Sequence, residues 1–166
     1  SECYGCVKTF FAKIQFKCAK EEELDEMIKK NFLNQRTPFD LQNWIRANFQ
    51  YEYDLVDYPK NPFVFMYDKC GDCEDFAKFC EILLPKLGYK NIYLVNAMSK
   101  NKLGHTVCVA EKGNRIYGFG NWNLLNFESH DLEEMGEMIC QKMNSSLWFV
   151  LKYQDGKFIE GLVDEA

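Results

Sequence analysis

An α+β fold with a mostly antiparallel sheet is predicted by three features of the 166-residue sequence. Helical periodicity fills the stretch before Gly88. Alternating, β-branched segments fill most of the chain after it. Two pairs of those segments are joined by turn signals, Lys112-Gly113-Asn114 and Gln154-Asp155-Gly156, that suit antiparallel hairpins. No internal repeat, low-complexity tract or Pro/Gly/Ser linker interrupts the chain, so residues 1–166 are expected to form one domain of ordinary size.

The first helix is expected from Glu21 to Phe32, where Leu24, Met27, Ile28 and Phe32 recur at helical spacing. Its acidic residues lead and Lys29 and Lys30 close, as the helix dipole favours. The second opens at Thr37-Pro38-Phe39-Asp40: Thr caps, Pro fits the first turn, and an acid follows three residues on. Its buried stripe should be Leu41, Trp44, Ile45, Asn48 and Phe49. From Tyr51 to Lys69 the periodicity fails, Pro59 and Pro62 interrupt it, and aromatics (Tyr51, Tyr53, Tyr58, Phe63, Phe65, Tyr67) dominate, which predicts an ordered loop. A third helix should run from Cys73 to Leu87. Phe76, Ala77, Phe79, Cys80, Leu83, Leu84 and Leu87 share one face, and Glu74, Asp75, Lys78 and Glu81 the other. Pro85 should disturb its last turn and Gly88 end it. Strands are expected at Asn91–Asn96, His105–Glu111 and Arg115–Phe119, a helix near Leu132–Met143, and a closing hairpin of Leu147–Tyr153 with Lys157–Leu162.

Composition narrows the function. An apolar fraction of 47% and an aromatic fraction of 16% exclude disorder and supply a core. Acidic residues outnumber basic ones 25 to 20, so no global field attracts phosphate backbones, and no nucleic-acid partner is expected. No apolar run approaches the length of a membrane span, and Lys8, Lys13 and Lys17 are scattered through the first twenty residues. A soluble protein without a membrane partner or cofactor is expected. Eight cysteines are too sparse to require a stapled scaffold; Cys18, Cys80, Cys108 and Cys140 read as buried free thiols, which points to a cytoplasmic setting, with secretion the alternative if a signal peptide is removed.

The chemistry concentrates at Gly71-Asp72-Cys73-Glu74-Asp75-Phe76-Ala77, where Cys73 stands at the passage from loop to helix. Backbone N–H groups at a helix start favour a thiolate and can donate to an oxyanion, so Cys73 is the candidate nucleophile. Only two histidines can take its proton. His105 opens an alternating strand straight after Gly104, whereas His130 lies in the charged run Glu128 to Glu134 and suits a solvated or capping role. His105 is therefore the candidate base, and Asn121, at the end of the partner strand, the candidate that orients its ring. Trp122 either shields that base from water or is simply core. Gln50 and Tyr67 are candidates for a second oxyanion donor. Asp75 either complements the helix dipole or faces inward to hold the loop.

These residues carry a resemblance. The heptapeptide at Gly71, followed by Leu103-Gly104-His105-Thr106-Val107, resembles the transglutaminase-like superfamily of papain-type cysteine enzymes. It is closest to the bacterial transglutaminase-like cysteine proteinases, in which a GDCxDxA motif opens the central helix and a GH motif opens a strand. The likeness extends upstream through Leu41-Gln42-Asn43-Trp44-Ile45 and Tyr51-Glu52-Tyr53-Asp54, and covers about Thr37 to Trp122. It implies a papain-like core with a central helix packed on the sheet, Cys73 as nucleophile, His105 as base and an acyl-enzyme intermediate on a peptide or protein amide. Water as acceptor makes a peptidase or amidase, an amine a transglutaminase; hydrolysis is the expected outcome. The family usually carries Asp as the third residue. An ungapped count from the Gly113 turn places Gly118 near that slot, and Asn121 fits if the strand is longer, as Asn serves in papain-like relatives.

Two other classes compete. A binding module could keep the fold without turnover. The CxxC pairs Cys3/Cys6 and Cys70/Cys73 could bind a structural zinc, or Cys70 and Cys73 could act as a redox dithiol whose disulfide silences Cys73.

Overall fold

The structure, a computed structural model, describes residues 21–32, 37–55 and 60–165. Cys3, Cys6 and Cys18, the early lysines, and Tyr58 with Pro59 lie outside the described residues, so the four-cysteine zinc reading and the first thiol expectation do too.

Helix α1 (Glu21–Asn31) buries Leu24 and Ile28, and Phe32 follows just beyond its end. Helix α2 (Pro38–Asn48) starts as its sequence demands: the Thr37 hydroxyl accepts the Asp40 N–H at 3.0 Å and Pro38 occupies the first turn. Its inner face differs from the expected stripe. Asn48 is exposed and donates to the Trp44 carbonyl, while Gln42 is wholly buried beside Leu41 and Ile45.

The expected Tyr51–Lys69 loop is corrected in its second half. Pro62 does not break structure there; it begins helix α3 (Pro62–Asp68), because the Asn61 side chain accepts the Phe63 N–H at 2.9 Å and leaves Pro in a position that needs no donor. The helix is held by Phe65, whose ring stacks on Phe49 at 4.8 Å and meets Phe76 and Phe79 edge-on or tilted at 5.0 and 5.5 Å. Two short strands, β1 (Gln50–Tyr51) and β2 (Cys70–Gly71), pair in parallel on either side of it.

Helix α4 (Cys73–Leu83) follows directly. Pro85 turns the remainder into a 3₁₀ segment, Leu84–Leu87, closed by Gly88 at φ 85, so the disturbed last turn occurs as expected. The sheet then unrolls as β3 (Lys90–Ser99), β4 (Gly104–Lys112), β5 (Arg115–Phe119), β6 (Leu125–Phe127), β7 (Leu147–Gln154) and β8 (Lys157–Val163), with helix α5 (Leu132–Lys142) between β6 and β7. The strand order is β6-β5-β4-β3-β7-β8, every pair antiparallel. The two hairpins expected from the sequence, β4–β5 and β7–β8, each turn on two residues of positive φ, Gly113 with Asn114 and Asp155 with Gly156, the geometry that matches strand twist. Strand β6 is absent from the sequence-based expectation, since three residues give too little alternation to read.

Strand alternation divides the interior. Phe76, Phe79, Cys80 and Leu83 of α4 pack with α1–α3 against Leu94, Cys108, Ala110 and Phe119 on one face. Leu132, Met135, Ile139 and Cys140 of α5 pack against Val95, Ala97, Val107 and Val109 on the other. Cys80, Cys108 and Cys140 are free, buried thiols. Among the described residues no helix is long and apolar enough to cross a membrane.

Candidate active site

Cys73 is the first residue of α4, and its position is fixed by reciprocal caps. The Asp72 carboxylate accepts the Glu74 and Asp75 N–H groups at 3.0 and 3.1 Å. Asp75 in turn accepts the Asp72 N–H at 3.0 Å and the Lys60 N–H at 2.8 Å. Asp75 thus leaves the polar face on which periodicity put it and turns inward to hold the loop. Burial pushes its carboxyl up to about 6, against the two N–H donors that favour the ionised form. Lys60 completes the bracket: its ammonium donates to the Cys70 carbonyl at 2.8 Å and lies 3.5 Å from the Asp68 carboxylate.

The thiol of Cys73 lies against Thr106, whose backbone and side chain both hydrogen-bond it. Those contacts pull its pKa down. Burial raises it more strongly, and the Asp72 and Glu74 charges add to the rise, so the net direction is upward. A helix start by itself favours the thiolate; here desolvation outweighs it, and the resting sulfur carries its proton.

His105 follows Gly104 at the start of β4 and shares the parity of Val107 and Val109, whereas Thr106 shares that of Cys108 and Ala110. Its ring is buried and stacks flat on Trp122, 3.4 Å between centroids at 8°. Burial pushes the imidazole down to about 3, which leaves it neutral at neutral pH. Its Nε2 is buried without a partner, and so is Oδ1 of Asn121, the residue before Trp122. No hydrogen bond joins the Cys73 thiol to His105. The thiol touches the next residue of β4, and the tryptophan next to Asn121 covers the imidazole.

Asn121 also borders a cavity of about 700 Å³ whose walls include Gln50, Tyr51, Glu52, Asp68 and Cys70. Gln50 therefore shares a cavity with Asn121, though neither Cys73 nor His105 lines it, while Tyr67 is exposed on α3 and is not among the lining residues. The Cys70 thiol is free; burial first, then its hydrogen bond with Glu52, pushes it up to about 11. Among the described residues no three His, Cys, Asp or Glu side chains converge as a metal site. His130 takes no part. It bonds the Tyr93 hydroxyl at 2.6 Å and faces Glu111 at 3.4 Å, and it is Asp131 that caps α5.

Sequence reasoning misses Thr106, Lys60 and Gln42. Thr106 reads as an ordinary strand residue and Lys60 as a loop charge. Gln42 carries one legible signal, an amide set between two members of an apolar stripe. Its side chain clasps the backbone at Gly120 and Trp122.

The buried neutral imidazole has a measurable consequence. An unfolded chain protonates His105 near the usual 6.5, the folded chain only near 3, so its contribution is complete above about 6.5 and is lost as pH falls toward 3. His105→Gln should flatten that acid slope by on the order of 3 to 5 kcal/mol across the whole window. Denaturant melts of both proteins at pH 7, 5.5 and 4 read this directly; parallel curves would mean that the ring is not held neutral.

A family model described as a transglutaminase-like domain matches residues 19–132. No curated protein matches the sequence. Among solved structures, Legionella pneumophila LapG is 16% identical, with a TM-score of 0.52 over 92% of this chain and 84% of that one. EGTA-treated LapG is 15% identical, with a TM-score of 0.53 over 96% and 85%. A Cytophaga hutchinsonii chain provisionally described as a cysteine protease is 13% identical, with a TM-score of 0.48 over 85% of this chain and 50% of that one. At such identities the LapG likeness establishes the arrangement of helices and sheet.

Proposed function

The chain belongs to the transglutaminase-like domain family, and from that premise we propose that it is a cysteine-dependent acyl-transfer enzyme, a peptidase or amidase acting on peptide or protein amides. Cys73 is the nucleophile, His105 the base and Asn121 the residue that orients the base. One observation carries the reading. Three buried side-chain polar atoms among the described residues lack a partner, and two of them are His105 Nε2 and Asn121 Oδ1. One is a donor in the tautomer a base needs and the other is an acceptor; leaving both unpaired in the interior costs about 1–3 kcal/mol each, which their mutual hydrogen bond would recover. With Nε2–H given to Asn121, Nδ1 is left to accept a proton.

The chemistry proceeds from a neutral pair. At rest the His105 ring has the opposite parity on β4 to Thr106, so in the reaction it turns toward the Cys73 thiol, which leaves Thr106, gives its proton to Nδ1 and attacks the amide carbon. The Cys73 N–H, first of the helix, donates to the oxyanion. His105 then protonates the leaving amine, and water, deprotonated by the same ring, releases the acyl group from sulfur. Trp122 keeps bulk water off the imidazole, and the polar cavity beside Asn121 receives the substrate chain.

A second reading, a binding module on the same fold, is favoured by the raised thiol and the absence of a Cys73–His105 hydrogen bond. Iodoacetamide modification followed by peptide mass mapping separates the two. The enzyme reading expects Cys73 to alkylate at least about tenfold faster than Cys70 at pH 7.5 and to lose that advantage in His105→Ala. Equal rates, unmoved by the substitution, favour the binding module.

A further inference from the structure

We infer that Gln42 is a positioning residue that sets Asn121 against His105, an inference that rests on reading Asn121 as the member that orients the imidazole. The Gln42 side chain is wholly buried, in a helix whose other inward residues are apolar. Its amide nitrogen donates to the Gly120 carbonyl at 2.6 Å and to the Trp122 carbonyl at 2.5 Å, and its oxygen accepts the Gly120 N–H at 3.3 Å. All three bonds go to the backbone on either side of Asn121, seventy-eight to eighty positions away in sequence. One turn further along α2, Arg46 donates to the Asn123 side chain. Two side chains of one helix thus grip Gly120, Trp122 and Asn123, and the residue enclosed by the grip is the one whose buried Oδ1 awaits a donor.

A loop leaving a strand end has no ladder to fix it, and a shift of about 1 Å in a positioning group can cost on the order of 100-fold in rate. Gln42 supplies the missing constraint from the opposite layer. It also sets Trp122, which follows Asn121 and covers the imidazole. The Tyr93–His130–Glu111 cluster by the second, smaller cavity has no comparable vacancy, since its members already bond one another.

The test uses the imidazole itself as reporter, because the chain has only two histidines. Proton–nitrogen NMR of the wild type should show His105 as the Nε2–H tautomer with a slowly exchanging proton. Gln42→Met, which keeps the volume and removes the bonds, should lose that signal as Asn121→Ala does, and kcat should fall about 10- to 100-fold with KM within twofold. The double variant should be no worse than Asn121→Ala alone. Arg46→Ala, on the exposed side of the grip, should weaken the signal in the same direction if Gln42→Met fails to fold. A wild-type tautomer signal that disappears in Asn121→Ala but survives both helix substitutions overturns the role of Gln42 and leaves the triad standing. No Nε2–H signal in the wild type overturns both.

Discussion

Cys73→Ala is expected to abolish digestion of a peptide library, lowering turnover by at least about 1,000-fold, because no other described thiol stands at a helix start and Cys73 is the nucleophile of the proposed chemistry. His105→Ala should cost nearly as much. The two losses should not add, since in the proposed chemistry nucleophile and base act as one unit and removing either leaves the other idle. Asn121→Ala should be milder, about 10- to 100-fold, as the ring remains but its tautomer is no longer held. Comparing the mass-spectrometric cleavage pattern of wild type and Cys73→Ala reports the activity and the bonds chosen together. Undiminished cleavage by Cys73→Ala would remove the basis of the proposed chemistry.

At neutral pH a large loss of stability is expected at Gly71. A Cβ built there would lie 2.5 Å from Asp75 Oδ2 and 2.7 Å from Asp75 Cβ, and the second atom cannot swing away. Asp75 must move, and with it go the acceptors of the half-buried Lys60 and Asp72 N–H groups. Gly71→Ala should therefore cost about 3 kcal/mol, a fall in Tm on the order of 10 °C for a chain of this length. Activity should drop with it, because the Asp72–Asp75 capping box is what begins the helix at Cys73. A thermal melt of Gly71→Ala within a degree or two of the wild type would show that the bracket is softer than its contacts imply.

How much of this is legible in the sequence depends on whether the controlling interaction is local. Thr37-Pro38, Pro85-Gly88 and the two hairpin turns act within a few residues, and each structure forms where its signal stands. Helix α3 has a local start signal in Asn61-Pro62, but its seven residues are too few to show a helical period, and its stabilising contacts are rings distant in sequence, Phe49, Phe76 and Phe79. The site divides in the same way. The helix start at Cys73 and the strand start at His105 are legible from the motif; the thiol's partner Thr106 and the resting protonation states are not, because burial, a property of the assembled layers, decides them. Periodicity assigns Asp75 to the solvent face, and only Lys60 and the Asp72 cap explain why it turns inward.

The sheet order carries a consequence for synthesis on the ribosome. Strand β3 lies between β4 and β7, yet β7 is translated some fifty residues after it. Until Leu147 to Gln154 emerge, the helix headed by Cys73 packs on a sheet whose central strand β3 still offers one unpaired row of N–H and C=O groups. The edge most open to misassociation therefore closes late, and a ribosome stalled before β7 would release a product with Cys73, His105 and Asn121 present and no finished scaffold to aim them.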